Sequence, residues 1–141
     1  MKEQKILDLY SNYIRAFENK NYDFIATVCR TPFFTSSPEG GVVFENREQL
    51  ISGFSALRES LDKEGYVGSR INKLEFREIA DTTCTLFVDF DRMNPQGEDF
   101  HHGQALYLFQ GKDESIAIIG IIVLDSSTVA SWTDNSDSES N

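Results

Sequence analysis

Residues 83–110, TCTLFVDFDRMNPQGEDFHHGQALYLFQ, decide the fold. Thr83–Met93 and Phe100–Gln110 both alternate apolar and polar side chains, the period of a strand with one face in a core. Asn94-Pro95-Gln96-Gly97 between them is turn chemistry, so the two segments form an antiparallel hairpin. A two- or four-residue turn opposes Leu86 to Ala105, Val88 to Gly103, Phe90 to His101 and Cys84 to Tyr107. Because side chains alternate, these share one face. That face is the more apolar and is assigned to the core. The opposite face pairs Asp89 with His102 and Asp91 with Phe100.

Two further strands flank the hairpin, Val67–Ile79 and Ser115–Leu124. Their connections, Ala80-Asp81-Thr82 and Gly111-Lys112-Asp113-Glu114, are short, so the four strands form an antiparallel meander. Ile116–Leu124 does not alternate, which predicts burial on both faces. One face meets the core. The other needs a cover that a chain of this length lacks, and a homodimer through the outer sheet face supplies it.

Upstream the period changes to that of helices. Ile6, Leu9, Tyr10, Tyr13, Ile14 and Phe17 make one apolar stripe. A second, shorter helix spans Tyr22–Cys29 and is stopped by Pro32, since the residue before proline leaves the helical region. Pro32–Ser36 and Val42–Phe44 read as short strands around the turn Pro38-Glu39-Gly40-Gly41. The third helix starts at a capping box formed by Asn46 and Gln49. It carries Leu50, Phe54, Leu57 and Leu61 on one stripe and ends at Gly65. The expected architecture is α+β: three N-terminal helices packed on a curved, mainly antiparallel sheet, a cone with an internal cavity.

The chain has 141 residues, 13 basic and 23 acidic, and a net charge of −10. Such acidity argues against nucleic acid and against anionic membrane surfaces. No apolar run reaches the ~18 residues of a membrane span. The N-terminus, MKEQKILDLY, has no apolar signal region, and Cys29 and Cys84 read as buried free thiols of a reducing compartment. The expected location is the cytoplasm. Residues 1–125 form one domain. Residues 126–141, rich in Ser, Asp and Asn, have no apolar period and read as an acidic flexible tail in which Trp132 is the one large apolar residue.

Several chemistries have no residues to carry them. There is no phosphate loop, dinucleotide fingerprint or nucleophile elbow. His101 and His102 are adjacent on a strand and point to opposite faces, so they do not chelate one ion. Asp89, Asp91 and His102 share the outer face, where an ion pair is the expected role. No metal and no cofactor is expected. Inside, the candidate ligand pocket comprises Tyr13, Phe17, Phe54, Leu86, Val88, His101 and Tyr107. His101 and Tyr13 are the candidate proton-transfer pair, because an imidazole titrates near 6.5. Arg92, if inward, would sit near the mouth and neutralise an anionic ligand.

The element order resembles the nuclear-transport-factor-2-like superfamily, which includes ketosteroid isomerases and SnoaL-like polyketide cyclases. The likeness rests on residues 13–23 (YIRAFENKNYD), on Asn46-Arg47-Glu48-Gln49-Leu50-Ile51 and on Gly103–Phe109, and it extends over nearly all of residues 3–125. It implies a cystatin-like α+β fold, a cavity for a small, mostly apolar or aromatic molecule, and dimers. Of the isomerase positions, Tyr13 matches the oxyanion-hole tyrosine. Ser37 stands where the catalytic aspartate precedes a proline, and Ala105 stands near the neutral acid, so steroid isomerisation by that mechanism is not expected. Glu39 could replace the base only if the turn brought it inward. Two functions are consistent with these residues: a small-molecule cavity protein, with isomerase, cyclase or dehydratase proton transfer as its catalytic form, and a non-catalytic dimeric protein-interaction module.

Overall fold

A computed structural model describes residues 2–124. The expected tail, with Trp132, lies outside the described residues. The elements run α1 (Lys2–Glu18), α2 (Tyr22–Val28), β1 (Cys29–Ser37), β2 (Gly40–Phe44), α3 (Arg47–Lys63), β3 (Gly68–Ala80), β4 (Thr83–Met93), β5 (Asp99–Gln110) and β6 (Ala117–Leu124). The six strands form one curved, open sheet in the order β2-β1-β6-β5-β4-β3. Every neighbouring pair is antiparallel except β1–β6, which is parallel. Among the described residues no helix is long and apolar enough to cross a membrane.

Helix α1 buries Ile6, Tyr10, Tyr13 and Phe17, residues spaced three and four apart that fall on one side of a 3.6-residue turn. The Asn21 side chain caps α2 by accepting from the Phe24 amide at 3.3 Å. That helix ends at Val28, one residue short of expectation, because Cys29 already pairs with Ile118 in the sheet. Strand β1 is correspondingly longer than Pro32–Ser36. Pro32 lies where its ladder with β6 is interrupted, a position that tolerates a residue lacking an N–H.

Helix α3 opens as its sequence demands. Asn46 Oδ1 accepts from the Gln49 amide at 2.9 Å, while Gln49 Oε1 reaches back to the Glu45 amide at 2.7 Å, one residue before the cap. Its end is a Schellman motif: the Tyr66 amide donates to the Leu61 carbonyl, the Gly65 amide to that of Asp62, and Gly65 has φ +89°. The buried stripe differs from the expected one. Leu50, Phe54 and Leu61 are buried, but Leu57 is 45% exposed and Arg58, at 4%, fills the remaining position.

The central hairpin keeps its predicted faces with a different register. Leu86 pairs with Tyr107, Val88 with Ala105, Phe90 with Gly103, Arg92 with His101 and Cys84 with Phe109, each two residues from expectation. The loop holds three residues, Pro95 to Gly97, closed by the Asn94 amide on the Glu98 carbonyl, with Gly97 at φ +78°. Phe100 is then an extra residue between the Met93–Asp99 and Arg92–His101 pairs. Two one-residue shifts restore the parity, so Leu86, Val88, Ala105 and Tyr107 all lie buried under the helices. On the outer face Asp91 pairs with His102, and Asp89 with Gln104.

The mixed pattern of β6 has a structural cause beside burial. Ile119 is skipped between the Phe109–Ile118 and Leu108–Gly120 pairs. Ile118 and Ile121 therefore both reach the buried side, as the strand bends at a bulge.

Candidate functional site

Helices and sheet enclose a cavity of about 340 Å³. Helix α1 contributes Tyr10, Tyr13, Ile14 and Phe17, and α3 contributes Gly53, Phe54 and Leu57. The sheet supplies the floor, with Ala105 and Tyr107 from β5 at its centre and Phe90 and Arg92 from β4 beside them. Two glycines shape the walls. A Cβ on Gly53 would lie 2.3 Å from the Phe44 ring, and one on Gly103 would lie 2.6 Å from the Phe90 ring. Their absent side chains let both aromatic rings lie flush on neighbouring backbone.

The polar groups of the cavity fall into two sets. Tyr10, Tyr13 and Tyr107 cluster at one wall, with ring centroids 5.0 Å apart for Tyr10–Tyr107 and 5.5 Å for Tyr13–Tyr107. Burial raises the pKa of all three. Tyr107, pushed up to about 12, is held lowest because hydrogen bonding from Tyr13 and Tyr10 favours its phenolate. All three phenols are neutral near pH 7 and act as hydrogen-bond donors or acceptors. The second set comprises Arg92 and the hydroxyls of Ser69 and of Thr35, Ser36 and Ser37. The Arg92 guanidinium lies over the Phe90 ring, 5.3 Å from its centroid. Burial lowers its pKa, and the fields of Tyr66, Tyr107 and Glu64 act the other way.

Of the expected pocket residues, Tyr13, Phe17, Phe54 and Tyr107 line this cavity. Leu86 and Val88 do not. They face the same side of the sheet but are fully buried beneath the helices. His101 is exposed and also lies outside the lining. Its cross-strand partner is Arg92, so the two share the helix-side face, but His101 stands near the hairpin end of β5, where it is exposed, while Arg92 reaches the cavity. The lining residues not anticipated include Tyr10, the third member of the phenol cluster, and Phe44 and Phe90, whose place depends on the two glycines.

The outer face carries the Asp89, Asp91 and His102 group. His102 Nδ1 is 2.8 Å from Asp91 and Nε2 3.3 Å from Asp89. Asn72, an extra residue in β3, donates to both carboxylates at 3.1 and 2.8 Å. These hydrogen bonds use the oxygens that a cation would need. Among the described residues no group of three or more His, Cys, Asp or Glu is arranged to hold a metal ion. Cys29 and Cys84 are free and buried, and burial pushes the Cys29 thiol up to about 12.

Residues 2–126 match the family model described as NTF2-like protein (DUF6841). The chain belongs to this NTF2-like family. No curated protein matches it. Among solved structures, a cystatin-like-fold protein of unknown function from Nostoc punctiforme superposes with TM-score 0.69 at 9% identity, over 86% of this chain and 89% of that one. Aln2 from a Streptomyces species gives TM-score 0.68 at 12% identity, over 89% and 91%. A putative calcium/calmodulin-dependent protein kinase II association domain from Xanthomonas campestris gives 0.63 at 14%, over 86% and 85%. At these identities the NTF2-like likeness concerns the fold alone.

The three positions singled out by the resemblance to isomerases, Tyr13, Ser37 and Ala105, all line the cavity of this NTF2-like chain. Glu39 does not; it is exposed, and its carboxylate accepts from the Ser37 hydroxyl at 3.1 Å. None of the eighteen lining residues is Asp, Glu, His or Cys. The lining therefore holds no group that accepts a proton readily near neutrality.

Proposed function

We propose that this NTF2-like chain binds a small, mostly apolar molecule in the cavity between α1, α3 and the sheet. The observation that carries the reading is a space of about 340 Å³ with aromatic and aliphatic walls and a few convergent polar groups. Ligand sites have this character, with volumes from about 300 Å³ upward. Between binding and proton-transfer catalysis, the lining favours binding. Its titratable groups are three phenols that stay protonated and one arginine that stays charged. General-base catalysis needs a group poised near the working pH.

A homodimer through the outer sheet face accompanies this reading. Phe87, Leu106, Leu108, Ile122 and Leu124 are half-buried residues of that face in the single chain, and Phe34 covers Gly120 beside them. A reducing, cytoplasmic setting agrees with two buried free thiols.

The test of the cavity is an NMR titration of the full chain with 4-phenylbutanol, a neutral aromatic probe. Shift changes concentrated at Tyr13, Phe54 and Ala105, and lost in Ala105→Phe, are expected. Absence of localised changes at millimolar probe would reject the cavity as a ligand site and favour a module that acts through its surface.

A further inference from the structure

The two inward-facing arginines differ in how they are satisfied. Arg58 is buried and fully engaged: it donates to the carbonyls of Phe17 and Glu18 and to Asp62 at 2.6 Å, and it lies 4.7 Å from the centroid of the Tyr66 ring. Arg92 lines the cavity with the face of Phe90 as its support, and among the described residues it forms no hydrogen bond or ion pair. Among the described residues, the carboxylate whose field acts on it is that of Glu64, an effect smaller than those of burial, Tyr66 and Tyr107. A guanidinium offers five donors in a planar fork suited to a carboxylate.

The remaining polar lining has the same bias. Ser69, Thr35, Ser36 and Ser37 supply hydroxyls, Tyr13 and Tyr107 supply neutral phenols, and no lining residue carries negative charge. The cavity thus holds a single positive charge inside a chain whose net charge is −10. Such an exterior repels polyanions, while one inward cation with apolar walls suits a ligand of one negative charge. Burial also disfavours the charged form of Arg92, and an anion beside it offsets that cost.

Resting on the reading of the cavity as a ligand site, we infer that its ligand is an apolar monocarboxylate, with the carboxylate on Arg92 and the hydrocarbon body against Phe54, Leu57 and Ile121.

The test compares 4-phenylbutyrate with the neutral isostere 4-phenylbutyramide by calorimetry on the full chain at pH 7. The carboxylate is expected to bind at least about tenfold tighter, the size of a charge-assisted hydrogen-bonded pair. Arg92→Gln is expected to bring the carboxylate to the amide's affinity while leaving the amide within about twofold, and Arg92→Lys to restore part of the preference. Equal or stronger binding of the amide by the unaltered chain overturns the inference and leaves the cavity reading standing. So does a carboxylate preference that survives in Arg92→Gln. Binding of neither probe overturns both readings. The comparison on the unaltered chain decides even if Arg92→Gln fails to fold.

Discussion

Arg58 on α3 donates from Nε to the main-chain carbonyl of Phe17 on α1 at 3.1 Å. The last carbonyls of a helix have no partner within it and carry partial negative charge. Arg58 supplies a second bond, to Glu18 at 3.0 Å, and so ties the end of α1 to the middle of α3. The same junction holds Ser69, whose amide donates to the Glu18 carboxylate at 2.9 Å. The cavity therefore opens beside a rigid corner formed from α1, α3 and β3.

Arg58→Met is expected to destabilise the chain by about 2 kcal/mol, because it removes the donor to the Glu18 carbonyl and one of two donors to the Phe17 carbonyl, which keeps the Lys20 amide at 3.2 Å, although the hydrocarbon volume is nearly kept. Urea denaturation with an unchanged slope measures this. A loss under about 1 kcal/mol would show that water replaces the guanidinium at the α1 terminus.

Gly111→Ala tests the turn between β5 and β6. Gly111 has φ +132°, and a Cβ there would meet the Ser115 carbonyl oxygen at 2.5 Å, a main-chain atom that cannot swing aside. The expected loss is more than about 1 kcal/mol, beyond the ordinary effect of replacing glycine. Gly40→Ala is the control: its φ is +133° but nothing lies within 4 Å, so the difference between the two variants isolates the collision from the backbone strain.

The helices were legible because their apolar residues repeat at three and four, and α3 carried its cap in the pair Asn46 and Gln49. The face of each central strand was legible for a less secure reason. A three-residue loop and the extra Phe100 each shift the hairpin by one, and only their sum preserves parity. Local sequence marks neither shift strongly, so the register, and with it the position of His101, was out of reach. Arg58 left a signal that a search for apolar residues passes over: it stands four residues after Phe54 and three before Leu61, on the stripe itself. The sequence makes Arg92 inward only on condition, since its place depends on the same register.

His102 makes stability depend on pH. The hydrogen bond to Asp91 is the largest of the effects that raise its pKa above the ordinary histidine value. A raised pKa stabilises the fold fully below about 6.5 and loses that contribution as pH rises through the folded value. Asp91 is shifted downward, first by the Asn72 hydrogen bond and then by His102. Its contribution is present above about 4 and is lost as pH falls through its own folded value. The pair thus stabilises most between those limits. His102 is largely solvated, so the effect is under about 1 kcal/mol. Melting curves at pH 5.5 and 8.5 should show a difference that shrinks in His102→Gln. An imidazole titrating at or below 6.5 by NMR would contradict the assignment.

The outer face of the sheet yields the last prediction. Leu106 and Leu108 stand on β5 between Phe87 of β4 and Ile122 of β6, and all four side chains are half-exposed in the single chain. Phe34 from β1 extends the patch, since its ring occupies the space left by Gly120. At one end the patch meets the hydrogen-bonded group of Asp89, Asp91 and His102, whose partners already satisfy it. The face is therefore apolar in the middle and polar at its rim, the anatomy of an interface, and a sheet packed on its twofold copy sets this same patch on both sides of the contact, with residues at the axis meeting their own copies. The unaltered chain is expected to sediment as a dimer at micromolar concentration. Leu106→Glu, which sets two carboxylates in the centre of that contact, is expected to yield a species near 16.0 kDa with helices and cavity intact. A monomer of the unaltered chain, or a dimer indifferent to Leu106→Glu, would move the interface elsewhere and leave this face to another partner.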